Sequence, residues 1–83
     1  MTMDINELRI NLRNKNVPES CYSLNGLDYI TGGDSYVLEF CSDFWYVFYF
    51  ERGEKYDLRR FIHENEACRE IYERILSDHS WQH

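Results

Sequence analysis

This 83-residue chain has one proline, four glycines and three cysteines. Four glycines leave no Gly-rich phosphate loop, and Gly32-Gly33 precedes a strand-like stretch rather than a helix. The cysteines Cys21, Cys41 and Cys68 are odd in number and contain no C-x-x-C pair. That argues against a disulfide framework or a structural zinc site and reads as three reduced thiols in a cytoplasmic protein. No run of lysine and arginine supplies the phosphate footprint that nucleic-acid binding needs. The longest apolar run, residues 44–50, is too short to span a membrane. The opening MTMDINELRINL places acidic and polar residues where a signal peptide would carry apolar ones. Catalytic patterns are missing too: there is no G-x-S-x-G and no Cys/His nucleophile pairing. His63-Glu64 with Glu66 forms HENE, which lacks the second histidine of a zinc-protease motif, and His79 and His83 lie in the tail. His63 reads instead as a capping or solvent residue at a helix start. The expectation is a non-enzyme with no cofactor and no metal.

What is present is aromatic and acidic. Seven tyrosines and five phenylalanines help bring the aromatic fraction to 17%, against 43% hydrophobic and 29% charged residues. This is the composition of a globular chain, and the length suits one domain, residues 1–83. A domain of this size buries only ~60% of its unfolded surface, so large aromatic side chains matter to its core. The net charge of −6 disfavours nucleic acid and membrane surfaces. It suits a basic protein partner, although solubility alone is the plainer reason for such a charge.

Asp4 followed by Glu7 resembles a capping box and opens a helix over residues 5–15 with Ile5, Leu8 and Leu12 on one stripe. Ile10 falls off that stripe, and Asn16-Val17-Pro18 ends the helix. Residues 21–24 form a short candidate strand. Asn25-Gly26 and Gly32-Gly33-Asp34 punctuate turns, with Leu27, Tyr29 and Ile30 between them as loop or brief strand. Residues 35–41 alternate, with Tyr36, Leu38 and Phe40 on one side and Val37, Glu39 and Cys41 on the other. Ser42-Asp43 joins them to residues 44–51 as an antiparallel hairpin, and Arg52-Gly53-Glu54 turns into a third meander strand over 55–62. Gly53 supplies the positive φ that such a turn needs. Residues 64–77 form the clearest helix. Its apolar half carries Ala67, Cys68, Ile71, Tyr72, Ile75 and Leu76, opposite Glu66, Arg69, Glu70, Glu73 and Arg74. The tail DHSWQH frays. The expected fold class is α+β: an antiparallel three- to four-stranded sheet (a meander, within 21–62) with N- and C-terminal helices packed on one face.

The stretch FWYVFYFERG at residues 44–53 has no polar side in its first seven residues. Odd positions give Trp45, Val47 and Tyr49; even ones give Phe44, Tyr46, Phe48 and Phe50. Two helices can cover only one of these sets. The run W-x-V-x-Y-x-E-R-G at Trp45 to Gly53, Y-S-L-N-G at Tyr22 to Gly26, and F-x-x-E-x-E-A-C at Phe61 to Cys68 together resemble a small bacterial family. These are the immunity proteins of polymorphic and contact-dependent growth inhibition toxin systems, and the likeness covers residues 22–76.

The resemblance implies that Trp45, Val47 and Tyr49 are core, with Glu51, Arg52 and Gly53 as structural residues at the turn. Tyr46, Phe48 and Phe50 are then exposed, and with Glu39 and Asp43 they form the expected toxin-binding set; Asp28 and Asp34 would add acidity. A covering helix or loop over the even set is the competing arrangement. Glu51 shares parity with the core set and is expected to be partly buried against an arginine; a solvated charge network with Arg52, Arg59 and Arg60 is the alternative to acid–base chemistry there. The implied function is stoichiometric neutralisation of a cognate toxin domain, a nuclease with a basic cleft, by a cytoplasmic monomer that pairs 1:1 with it. A non-catalytic adaptor or regulatory module is the alternative.

Overall fold

The carboxylate of Asp4 accepts a hydrogen bond from the Glu7 backbone N–H at 2.8 Å, and this cap starts helix α1 (Ile5–Asn14). The helix ends in a Schellman turn. Asn16 takes φ 61°, its N–H reaches the Arg13 carbonyl, and the Val17 N–H reaches the Leu12 carbonyl. Leu12 and Val17 are both buried, so the turn also closes an apolar contact. The stop is therefore made by asparagine in the left-handed region, one step ahead of the proline effect expected at Pro18.

The protein is described here from a computed structural model covering residues 3–25 and 34–78. A 3-10 turn at Glu19–Cys21 leads into β1 (Tyr22–Leu24). Then follow β2 (Ser35–Cys41), β3 (Phe44–Glu51), β4 (Glu54–Phe61) and helix α2 (Glu64–Ser77). The expected turns at Gly26 and Gly32-Gly33, the stretch with Leu27, Tyr29 and Ile30, the acidic residue Asp28 and the tail beyond Asp78 lie outside the described residues.

The four strands form one sheet in chain order. β2, β3 and β4 make the expected antiparallel meander, whereas β1 joins β2 in parallel, pairing Tyr22 with Tyr36 and Leu24 with Leu38. The sheet is therefore mixed rather than wholly antiparallel; residues 25–34 between β1 and β2 give the long connection that parallel neighbours need and a two-residue turn cannot supply. Both hairpins of the meander turn on two residues at positive φ, Ser42 (52°) with Asp43 (70°) and Arg52 (51°) with Gly53 (81°). Such turns match the right-handed twist of the flanking strands.

Helix and sheet meet in one apolar cluster. Leu8, Leu12, Ala67, Cys68, Ile71 and Ile75 of the helices are buried against Tyr22, Leu38 and Val47 of the sheet, with Trp45, Phe61 and Tyr72 at the margin. Each fully buried aliphatic side chain contributes about 1.5–3 kcal/mol from its removal from water. Polar ties fix the layers. The Ile5 N–H donates to Glu64 Oε2 at 3.0 Å, joining the starts of the two helices, and the Tyr36 hydroxyl donates to Asp78 Oδ2 at 2.8 Å, pinning the end of α2 to β2. His63 occupies the N-cap of α2 without a side-chain capping bond. Among the described residues no helix is long and apolar enough to cross a membrane.

Candidate protein-binding surface

The register of β2, β3 and β4 assigns each side chain of FWYVFYF to a face. Trp45, Val47 and Tyr49 stand beside Phe40, Leu38 and Tyr36 on the side that carries both helices. Val47 is fully buried, and Trp45 and Tyr49 are half-buried. The Tyr36 and Tyr49 rings lie 4.8 Å apart, and the Phe40 and Trp45 rings 4.7 Å apart. Phe40 remains 45% exposed because this end of the sheet extends past its cover.

The opposite face has no contribution from either helix. Its rows read across the strands as Ser35–Phe50–Lys55, Glu39–Tyr46–Arg60 and Cys41–Phe44, with Val37–Phe48 at the centre. The pairing of β3 with β4 slips between Val47 and Tyr49, so Phe48 faces both Asp57 and Leu58. Asp57 takes φ 53°, which makes this a β-bulge with an aspartate in the left-handed position. The extra residue resets the alternation of β4. Arg59 is turned to the helix side, where its Nη1 meets Glu70 Oε1 at 3.3 Å, and Arg60 to the open side.

On that open side cations lie over the rings. Lys55 Nζ stands 4.8 Å from the centre of the Phe48 ring, and the Arg60 guanidinium 4.5 Å from that of Phe44. Phe48 is fully buried together with Val37, flanked by the half-buried Tyr46 and Phe50. This corrects the expectation that Phe48 is exposed: it is the centre of a small second core. Tyr46 and Phe50 keep part of their surface, Glu39 is half-buried beside Tyr46, and Asp43 is exposed in the hairpin turn. Phe44, absent from the expected set, is half-buried in the same row system. The open face is also less acidic than expected, since Lys55 and Arg60 balance Glu39 and Asp43; Asp34 is exposed just before β2. The sequence signal for the two cations was their distance from the Arg52-Gly53 turn, which places Lys55 opposite Phe50 directly but Arg60 only once the bulge is known.

At the far turn, Arg52 and Gly53 are exposed and Glu51 is half-buried. Among the described residues no ion pair joins Glu51 to an arginine: Arg59 is held by Glu70, and Arg60 by the Phe44 ring. The expected Glu51 anchor is not formed because its cross-strand neighbour is Glu54. Nor do three His, Cys, Asp or Glu side chains gather as a metal-holding group among the described residues.

A second concavity lies on the helix side, between α2 and the edge strand β4. It has a volume of about 940 Å³ and is open to solvent. Tyr36 and Tyr49 line it, with Arg59 from β4 and Glu70, Glu73 and Arg74 from α2 along its sides. Glu70 holds both guanidiniums, its Oε2 accepting from Arg74 Nε at 2.6 Å. Burial raises the Tyr36 phenol, as do its hydrogen bond to Asp78 and the charge of that carboxylate. Tyr49 is raised by burial first, then by the charges of Asp34, Glu51 and Asp78. Comparison with protein-family models, with curated proteins and with solved structures finds no match to this chain.

Proposed function

We propose that this chain is an immunity protein: a cytoplasmic, non-catalytic inhibitor that binds one cognate bacterial toxin domain 1:1 and neutralises it. The observation that supports this reading most is the sheet face to which neither α1 nor α2 contributes. There Phe44, Tyr46 and Phe50 present half-buried aromatic surface around a fully buried Phe48. Aromatic side chains already ordered by their neighbours lose little entropy on docking, which makes them effective interface anchors. Glu39 and Asp43 on one flank and Lys55 and Arg60 on the other give the face charges of both signs. That pattern fixes orientation, while the net charge of −6 speeds encounter with a basic nuclease domain.

The test is co-expression with the toxin domain encoded beside this gene. Wild-type protein protects the cell. Tyr46→Ala weakens binding by about 2 kcal/mol or more, the size of an interface hot spot, with little loss of thermal stability. Equal killing with and without the protein overturns the immunity reading. Unchanged affinity in a folded Tyr46→Ala, Phe44→Ala variant shows instead that the docking face is another one.

A further inference from the structure

The groove between α2 and β4 is a second recognition site, distinct from the aromatic face. We propose that it takes a cationic side chain, an arginine or lysine carried on an extended segment of the partner protein. The inference rests on the protein-binding reading for the source of that side chain, but the preference for a cation follows from the groove itself.

Three observations carry it. First, α2 leaves the flank of β4 uncovered, and the space of about 940 Å³ is ample for a long side chain and its backbone. Second, aromatic surface is available at the bottom. The Tyr36 and Tyr49 rings meet at 4.8 Å, line the groove and are half-buried, so part of their surface is within reach of a cation. Third, the charge is one-sided. Among the described residues, Asp57, Glu70, Glu73 and Asp78 line the groove against Arg59 and Arg74, and Glu70 holds both arginines. Asp57 and Glu73 are exposed at the rim, where an incoming ammonium or guanidinium can reach them.

An anion finds a weaker anchor: Arg59 lines the groove with an exposed side chain, but its Nη1 is held by Glu70 at 3.3 Å. Arg74 Nη1 lacks a hydrogen-bond partner but is sealed off by surrounding atoms, out of reach of a guest. Burial is the first cause of both raised phenols, and the nearby carboxylates, Asp78 for both and Asp34 and Glu51 for Tyr49, raise them further, in agreement with this sign.

The experiment uses the whole chain and a short blocked peptide with two adjacent arginines, compared with the same peptide carrying two glutamates. Ring resonances of Tyr36 and Tyr49 are followed by NMR through a millimolar titration. The arginine peptide should shift both rings saturably, and the glutamate peptide neither. The Asp57→Asn, Glu73→Gln pair changes only exposed side chains and should weaken arginine-peptide binding about fivefold. Tyr46→Ala, on the other face, should leave it unchanged. No shift at either ring, an equal response to the glutamate peptide, or wild-type binding by the double variant overturns the proposal. Failure here with toxin neutralisation intact removes only the groove. Loss of neutralisation with peptide binding intact removes only the immunity reading.

Discussion

Val47 and Phe48 are neighbours on β3, point to opposite faces and are both fully buried, yet by different means. Val47 lies under two helices, in a cluster that includes Leu8, Leu38, Ile71 and Ile75. Neither α1 nor α2 lies above Phe48. Among the described residues, Val37 beside it, the half-buried rings of Tyr46 and Phe50, and the lysine over its face pack against it. Long cationic side chains can do this because their methylene stems cover apolar surface while the charged end stays in water. One sheet thus carries a thick core on one side and a thin one on the other, and the thin one leaves aromatic edges available.

The contrast can be broken most directly by emptying each core in turn. Ile71→Ala should cost about 2–5 kcal/mol and Phe48→Ala about 3–5 kcal/mol, measured by denaturant midpoint at constant slope. A loss below about 1 kcal/mol for Phe48→Ala would mean that the open-face cluster is surface and not core.

Alkaline pH probes the thick side alone. Burial first, and then the charges of Glu64, Asp4 and Glu7, push the Cys68 thiol up to about 12, and the Tyr36 phenol is raised as well. Each group holds its proton more tightly in the folded chain than in the unfolded one. Their contribution is therefore complete below the ordinary thiol value of 9.0 and is lost as pH rises toward the folded value. Stability should be level through neutral pH and fall above it, and Cys68→Ala should flatten the part of that fall between pH 9.0 and about 12. An unaltered slope in the variant rules out Cys68 as its source.

The smallest effect concerns the lysine that covers Phe48. Lys55→Ala should cost about 0.5–1 kcal/mol from the lost cation–ring contact and stem packing, and should expose the ring to a fluorescent hydrophobic probe. No rise in probe binding would show that the neighbouring rings suffice to cover it.

How far the sequence carried this description differs by element. The apolar stripe of α2 and the Ser42-Asp43 turn were legible because helix period and turn residues are local signals; α2 and the first hairpin stand where they were expected, while the second turn uses only Arg52-Gly53, so that β4 starts one residue early, at Glu54. The direction of β1 was not legible: three residues pair equally well either way, and only the fold chooses. The bulge at Asp57 also escaped, since aspartate reaches the left-handed region without a glycine to mark it. That single inserted residue decides where Arg59 and Arg60 point, and so both the cation canopy on the open face and the Glu70 bridge in the groove. The burial of Phe48 was missed for a different reason: counting two helices says which face they cover, not whether other side chains, such as Val37 and Lys55, pack on the opposite one.

The hydrogen bond between the Ile5 N–H and Glu64 spans 59 positions of chain. Helix α1 also packs chiefly on α2 rather than on any one strand. Helix α1 is synthesised before α2, so Leu8 and Leu12 lack their α2 partners until the intervening meander has been made. Such a contact carries a loop-closure cost that only the finished sheet can offset. Folding should then be late and all-or-none, and removing α2 should release α1 as well.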